Sequence, residues 1–188
     1  MDQHGLVDRA RRGDRQAFAE LVRASGARLD ATARLILRDP ELAQDAVQET
    51  LIRAWRSLPG LRDPATFDHW LHSLVAHACI DLVRKRRRRV IEVELTEIND
   101  APVLDNVGQI ADRDLLDRAL AGLDPESRAV VVLHFYLDLP LARVAAMLGI
   151  PIGTAKSRLH RSLGAMRSAV SIEEVTSASA AVLGGPIA

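Results

Sequence analysis

Aromatic residues make up only 3% of the 188 residues, and there is a single cysteine, Cys79. One thiol excludes an internal disulfide framework and suits a reducing compartment, so a cytoplasmic location is expected. Apolar runs are short. None approaches the roughly 20 residues that span a bilayer, and no membrane insertion is expected. Arg9, Arg11, Arg12 and Arg15 interrupt any leader-like stretch near the N-terminus. Catalytic signatures are missing as well. His77 and Asp81 stand at i, i+4, as do His69 and Ser73, but no HExxH, no glycine-rich phosphate loop and no third ligand accompanies them. The chain is therefore not expected to be an enzyme, to hold a metal or to need a cofactor. What remains is an apolar content of 48%, carried by Leu, Ala and Val rather than by rings. That composition favours helices packed on helices, and at this length it fills one medium domain or two small ones.

Net charge is also missing: 25 Lys and Arg balance 25 Asp and Glu. The balance hides segregation. Residues 1–90 carry a net +5, residues 91–112 a net −6 with no base, residues 113–170 a net +3, and the tail from Ser171 a net −2. Two basic blocks flank an acidic connector, a pattern that speaks to partners more than a total does.

Three Asp-Pro pairs, Asp39-Pro40, Asp63-Pro64 and Asp124-Pro125, read as helix starts. In each, the carboxylate caps free amides and proline presets the first helical φ. Helices are expected over about 4–13, 15–37, 40–57, 64–89, 112–122, 125–137, 141–149 and 152–170. The run Val130-Val131-Val132-Leu133 has strand propensity, but its cap and length favour a buried helix. The predicted fold is all-α, with a domain over 1–90, an extended acidic linker over 91–112, a second domain over 113–170 and a disordered tail over 171–188.

The stretch LARVAAMLGIPIGTAKSRLHRSLGAM (141–166) reads as two short helices joined by a tight turn at Gly149 and Pro151. In the second helix Ile152, Ala155, Leu159, Leu163 and Met166 form an apolar stripe, with Thr154, Ser157, Arg158 and Arg161 on the other side. A face of hydroxyls and guanidiniums can enter a major groove, arginine reading guanine edges. The plainer reading is a helical hairpin with a solvated basic face.

Two segments of the N-terminal half carry further signals. Over 41–57, Ala43, Ala46, Val47, Thr50, Leu51 and Ala54 point one way, and Asp45, Gln48, Glu49, Ile52, Arg53 and Arg56 cover the rest. That outer face is either solvated or a docking surface. Next, the loop SLPGLRDPATF leads into a helix that begins with Phe67 and Trp70 and ends in six consecutive cations, 84–89. Rings beside a basic run are the ingredients of a single-strand nucleic-acid site, and they are equally what a core and a solvated helix end require. Trp70, in step with Leu74 and Ala78, is expected to be at least half buried.

Taken in order, DAVQETLIRAW (45–55), RDPATFDHWLHSLVAHACIDLVRKRRRR (62–89) and GTAKSRLHR (153–161) resemble the extracytoplasmic-function sigma factors, the dissociable promoter-recognition subunits of bacterial RNA polymerase. The resemblance spans about residues 5–170 and implies a region 2 and a region 4. It implies that Asp45, Gln48, Glu49, Ile52 and Arg53 dock on the β′ clamp helices of core polymerase, and that region 4 touches the β flap. It places Arg62, Phe67, Trp70, His77, Arg84, Lys85, Arg86, Arg87 and Arg88 on the −10 element, which is melted, and Thr154, Lys156, Ser157, Arg158, His160 and Arg161 on the −35 duplex. The acidic linker would run toward the RNA exit path, and an anti-sigma factor is a further implied partner. Ala76-His77 stand where the family carries an Arg-Asn pair, Leu141-Ala142-Arg143 replace a Tyr-Glu-Glu-like start, and Pro151 replaces a capping serine. These departures bear on which promoter is read. The competing reading is a stand-alone helix-turn-helix transcriptional regulator, which accounts for 113–170 but leaves the cation run and the acidic linker without a role.

Overall fold

Aspartates set the helix starts, as the Asp-Pro pairs predict. Asp39 accepts the amides of Glu41 and Leu42 at 3.0 and 3.1 Å, Asp63 that of Ala65 at 3.0 Å, and Asp124 that of Ser127 at 3.0 Å. A fourth cap, without proline, is Asp14, which takes the amides of Gln16 and Ala17. The Ala17 amide and the Arg9 guanidinium hold its carboxyl below the usual range.

The computed structural model describes residues 3–94 and 111–183, with side chains described over 3–88 and 116–170. Among the described residues there are eight α-helices and no strand: α1 Gln3–Arg11, α2 Arg15–Leu37, α3 Pro40–Ser57, α4 Phe67–Glu94, α5 Ala111–Ala121, α6 Pro125–Val131, α7 Leu141–Leu148 and α8 Ile152–Leu183. Helix α2 ends with Arg38 in the left-handed region at φ 56°. Short 3-10 turns at Leu58–Gly60 and Pro64–Thr66 join α3 to α4, so the second Asp-Pro pair, Asp63-Pro64, opens a 3-10 turn rather than α4 itself. The all-α expectation holds.

The Val130–Leu133 run is helical and fully buried, but a π-helical turn over Val132–Tyr136 replaces the last α-turn. Asp138, at φ 52°, then reverses the chain, and Leu139 donates back to the Leu133 carbonyl. Aspartate tolerates this left-handed backbone better than most side chains do. Two boundaries move. Helix α4 runs on to Glu94 instead of yielding to an extended linker at 91, since no glycine or proline interrupts the chain before Pro102. Helix α8 likewise reaches Leu183 where a disordered tail was expected from Ser171. The stretch contains neither glycine nor proline and includes Ala178, Ala180 and Ala181, alanine being a strong helix former, and the first breakers in the sequence are Gly184, Gly185 and Pro186. The acidic residues of 95–110 lie outside the described residues.

Helix α4 packs on α2 and α3, and α8 receives α5, α6 and α7. The two groups share one apolar core. Leu21, Leu29, Ile36, Phe67, Leu71 and Val75 from the first half join Val130, Leu133, Val144 and Met147 from the second. Leu35 of α2 also packs on a smaller cluster of Leu120, Leu123 and Val131. Buried hydroxyls are satisfied within their own helices: Thr32 and Thr50 each donate to the carbonyl four residues back, at 2.7 Å.

His72, in the middle of α4, is only 6% exposed. Its Nδ1–H donates to the Asp68 carbonyl at 2.7 Å, and its Nε2 is buried without a partner. Burial is the main cause that lowers its pKa, and the nearby Arg28 and His69 add to it. The folded state therefore prefers neutral imidazole, while the unfolded chain takes up a proton as pH falls through the ordinary histidine value of 6.5. Stability should be full above that pH and decline below it. Urea midpoints at pH 7.5 and 5.5 should show a fall that His72→Gln flattens; an equal fall in both proteins would contradict the assignment.

Candidate nucleic-acid interface

The outer face of α3 borders a groove of about 370 Å³. Asp45, Gln48, Glu49, Ile52 and Arg53 line one wall, and Ala78, Asp81, Leu82 and Lys85 of α4 line the other. The five residues expected to dock on polymerase are thus brought together. Arg53 spans the groove, donating to Glu49 at 2.7 Å and to Asp81 at 3.1 Å, and these two carboxylates raise its pKa. Ile52 is 46% exposed among these charges, an apolar side chain left open beside polar walls. The second wall was not legible in the sequence. Asp81 was read only as a neighbour of His77, whereas its partner is Arg53, 28 residues earlier.

The loop before α4 is pinned by Leu58 and Leu61, both buried, so that Arg62 and Asp63 face outward. Thr66 donates to the Asp63 carbonyl at 2.7 Å. Phe67 departs from its expected place on DNA. It is 0% exposed and belongs to the core, since the helix start turns it inward beneath the loop. A base has no access to that ring. Trp70 is half-buried as predicted, packed on the core with its ring centroid 5.9 Å from that of Phe67. His77 is half-buried and its Nδ1–H donates to the Ser73 carbonyl at 2.8 Å, while Ala76 is fully buried. Arg84, Lys85, Arg86, Arg87 and Arg88 are all exposed. Two of them reach carboxylates: Arg84 donates to Glu126 at 2.6 and 3.2 Å, and Arg86 to Asp39 at 3.3 Å.

The turn between α7 and α8 forms as predicted. Gly149 takes φ 63°, and its amide bonds back into α7. Pro151 precedes α8 and its carbonyl accepts the Ala155 amide at 3.1 Å, with no side-chain cap available from proline. The buried face of α8 is rotated from the predicted stripe. Ala155 and Ser162 are buried, and Leu159 and Met166 are half-buried, whereas Ile152 is 43% exposed. Lys156, Ser157, His160 and Arg161 are exposed and Thr154 is half-buried. Arg158 departs from its expected place on the solvent face. Its side chain is 21% exposed and is bonded to Glu126, because the rotation carries it to the edge of the α6 contact. Sequence reasoning missed Glu126, which reads locally as an ordinary acidic residue in a first helical turn.

These elements define an all-helical chain that carries a cation-rich helix end and a separate helix-turn-helix, with a mixed polar and apolar groove beside the first. Comparison with known proteins bears on the class. The Sigma-70 region 2 family matches residues 21–89, and the Sigma-70, region 4 family matches residues 113–166. The ECF RNA polymerase sigma factor SigM of Mycobacterium tuberculosis is 35% identical over 168 residues, covering 85% of this chain and 84% of that protein. The RNA polymerase sigma-E factor of Streptomyces avermitilis is 36% identical over 155 residues, covering 82% and 86%. Among solved structures, CnrH in complex with the cytosolic domain of CnrY superposes with a TM-score of 0.63 at 25% identity, covering 90% of this chain and 97% of that one. RpoE in complex with the anti-sigma factor NepR, from Bartonella quintana, gives 0.66 at 24% identity, covering 82% and 97%, and supports the fold. The chain belongs to the extracytoplasmic-function sigma factors of bacterial RNA polymerase. Among the described residues no helix is long and apolar enough to cross a membrane.

The reassignment of Phe67 is open to direct measurement. Phe67→Ala should lower unfolding free energy in urea by about 3–5 kcal/mol, as a buried ring removed from a core does. Arg62→Ala, on the exposed loop, should stay within about 0.5 kcal/mol. A Phe67→Ala protein of unchanged stability would return the ring to the surface.

Proposed function

We propose that this chain binds core RNA polymerase through the α3–α4 groove and directs it to promoters, melting the −10 element and reading the −35 element. The observation that carries the reading is the groove itself. It gathers Asp45, Gln48, Glu49, Ile52 and Arg53 around an exposed isoleucine, where a merely solvated helix would present charge alone. A stand-alone regulator needs no such surface. The chain acts as an initiation subunit and carries out no chemistry of its own, in the cytoplasm where polymerase works. The domain limits follow the two reading surfaces: 1–90 for polymerase and the −10 element, 113–170 for the −35 element.

At the −10 element, Arg62 on the outward loop and Trp70 and His77 on α4 are the groups offered to a base drawn from the stack. Extraction costs a few kcal/mol, which a pocket and nearby cations must offset. Arg84, Lys85, Arg86, Arg87 and Arg88 supply that charge along the phosphates, releasing counterions as they bind. At the −35 element, Ser157, His160 and Arg161 present donors and acceptors to base edges, with Thr154 and Lys156 toward phosphate. Arg158 joins them once it leaves Glu126. The solved relatives sit in complexes with protein partners, CnrY and NepR. By extension, an anti-sigma factor is proposed as a partner here.

Ile52→Asp puts a charge on the one open apolar side chain of the groove. Binding to core polymerase should weaken at least tenfold with helicity unchanged, measured by co-purification and circular dichroism; undiminished binding would remove the groove from the interface. Substitutions within 62–66 should reduce open-complex formation on duplex promoters far more than on templates already mismatched across the −10 region. Neutralising Arg86, Arg87 and Arg88 should weaken both templates and flatten the salt dependence, as expected of phosphate contacts. Permanganate reactivity of thymines on the two templates distinguishes the cases. Equal loss on both from the loop variants would mean the loop takes no part in strand opening.

A further inference from the structure

The guanidinium that crosses the α3–α4 groove is divided between two carboxylates, atom by atom. Arg53 donates through Nε to Glu49, one turn back on its own helix, at 2.7 Å, and through Nη1 to Asp81 of α4 at 3.1 Å. The first bond lays the side chain along α3, as pairs four residues apart do on any helix. Only the second turns its far end across the groove. Asp81 is placed for this by the burial of its own helix. Ala78, Cys79 and Ile80 are buried, and the next position emerges at the rim facing Arg53.

The three side chains stay exposed, at 39% for Arg53, 45% for Glu49 and 54% for Asp81, so the network adds little to folding stability. Its effect falls on the groove. An arginine has a long stem with many rotamers, and a partner landing beside an unrestrained one must freeze it. Held by Glu49 alone, the free end of Arg53 would sweep the mouth between Ile52 and Leu82, the apolar side chains of the two walls. Held at both Nε and Nη1, it leaves Ile52 open at 46% exposure, beside the exposed Asp45 and Gln48. The surface that a partner meets is then set before the partner arrives.

We infer that Asp81 is a positioning residue for polymerase docking. Its carboxylate acts through Arg53, which serves as a brace across the groove, and direct contact between Asp81 and polymerase is not required. The inference rests on the sigma-factor reading for the identity of the partner, while the brace itself is a property of the free chain. A local reading of the docking helix does not find this residue, because the brace is anchored 28 residues away on α4.

The test uses the full-length chain with nitrogen-15 arginine, and core polymerase. Arg53→Met identifies the Arg53 side-chain signals by their loss. In the free parent chain the Arg53 Nη groups should give separate, slowly rotating resonances in the cold. Asp81→Asn should average them while the Nε–H signal, held by Glu49, persists. Asp81→Asn should also weaken binding to core polymerase about fivefold, the scale set by one long side chain immobilised on association, with helicity and urea midpoint near those of the parent. Arg53→Met should lose a similar factor, and the double variant no more than either alone, because the carboxylate acts only through the guanidinium. Asp81→Glu, which keeps the charge on a longer stem, should recover most of what Asp81→Asn loses. Averaged Arg53 Nη signals in the parent, or undiminished polymerase binding by Asp81→Asn, would overturn the inference. So would a further fivefold loss from Asp81→Asn on the Arg53→Met background, which would make Asp81 a contact in its own right. Failure of the parent chain to bind core polymerase would instead overturn the sigma-factor reading, with the Arg53 resonances still deciding whether Asp81 holds the brace.

Discussion

Everything in this chain turns on how α4 is buried. Leu71, Val75, Ala78 and Cys79 sink one side of the helix into a core fed by α2 and α3, while Phe67 anchors its start beneath the loop. That burial has three consequences. It fixes the direction of the Arg62 loop, it sets Ala78, Leu82 and Lys85 against the open face of α3, and it carries the cations of 84–88 out beyond the packed part of the helix. The α3–α4 groove and the exposed cationic end are thus two results of one packing decision. The apolar contacts also reach α6 and α7, which is why the second half rests on the first.

The division of labour between apolar and charged groups is consistent along the chain. Alanines at Ala43, Ala46 and Ala54 allow α3 to approach its neighbours closely, so that core formation needs few rings. The scarce aromatics are placed where mass is needed: Phe18 packs at a tilt against Trp55 with centroids 5.0 Å apart, and Phe67 likewise against Trp70. Most charges lie outside the core and are paired both within a helix, as in Arg34 with Asp30 and Arg53 with Glu49, and across elements, as in Arg53 with Asp81, Arg86 with Asp39 and Arg84 with Glu126. Exposed pairs of this kind add little to stability, typically about 0–1 kcal/mol. Their effect is on geometry and on which guanidiniums are free to act.

Much of this was legible in the sequence because it depends on local chemistry. Aspartate caps, prolines and the Gly149 turn act over a few residues; those at Asp39, Asp124 and Gly149 produced the boundaries they predict, while Asp63-Pro64 opens a 3-10 turn ahead of α4. The apolar stripe of α3 was likewise readable from its spacing, as was the mixed polar set on its other side, which the family resemblance rather than the spacing assigns to polymerase. The failures have a common cause. Ile152 and Arg158 were assigned to faces by periodicity alone and Phe67 was placed on DNA by the family resemblance, but which part of a helix is buried depends on the partner it meets. For α8 the partner is α6, whose Glu126 draws Arg158 inward, and nothing within the recognition helix announces that contact. Asp81 was missed for the same reason, since its partner lies 28 residues away. The ends of α4 and α8 ran past their predicted limits because loss of an apolar pattern is not itself a helix breaker.

The central claim is that this chain confers promoter choice on a polymerase that lacks it. Multi-round transcription by core polymerase on genomic fragments, with and without the full-length protein, tests it most directly. Discrete starts should appear only when the protein is present, each preceded by shared upstream elements at a fixed spacing. The same transcripts from core polymerase alone, or tight duplex binding by the free chain with no initiation when core is added, would contradict the account.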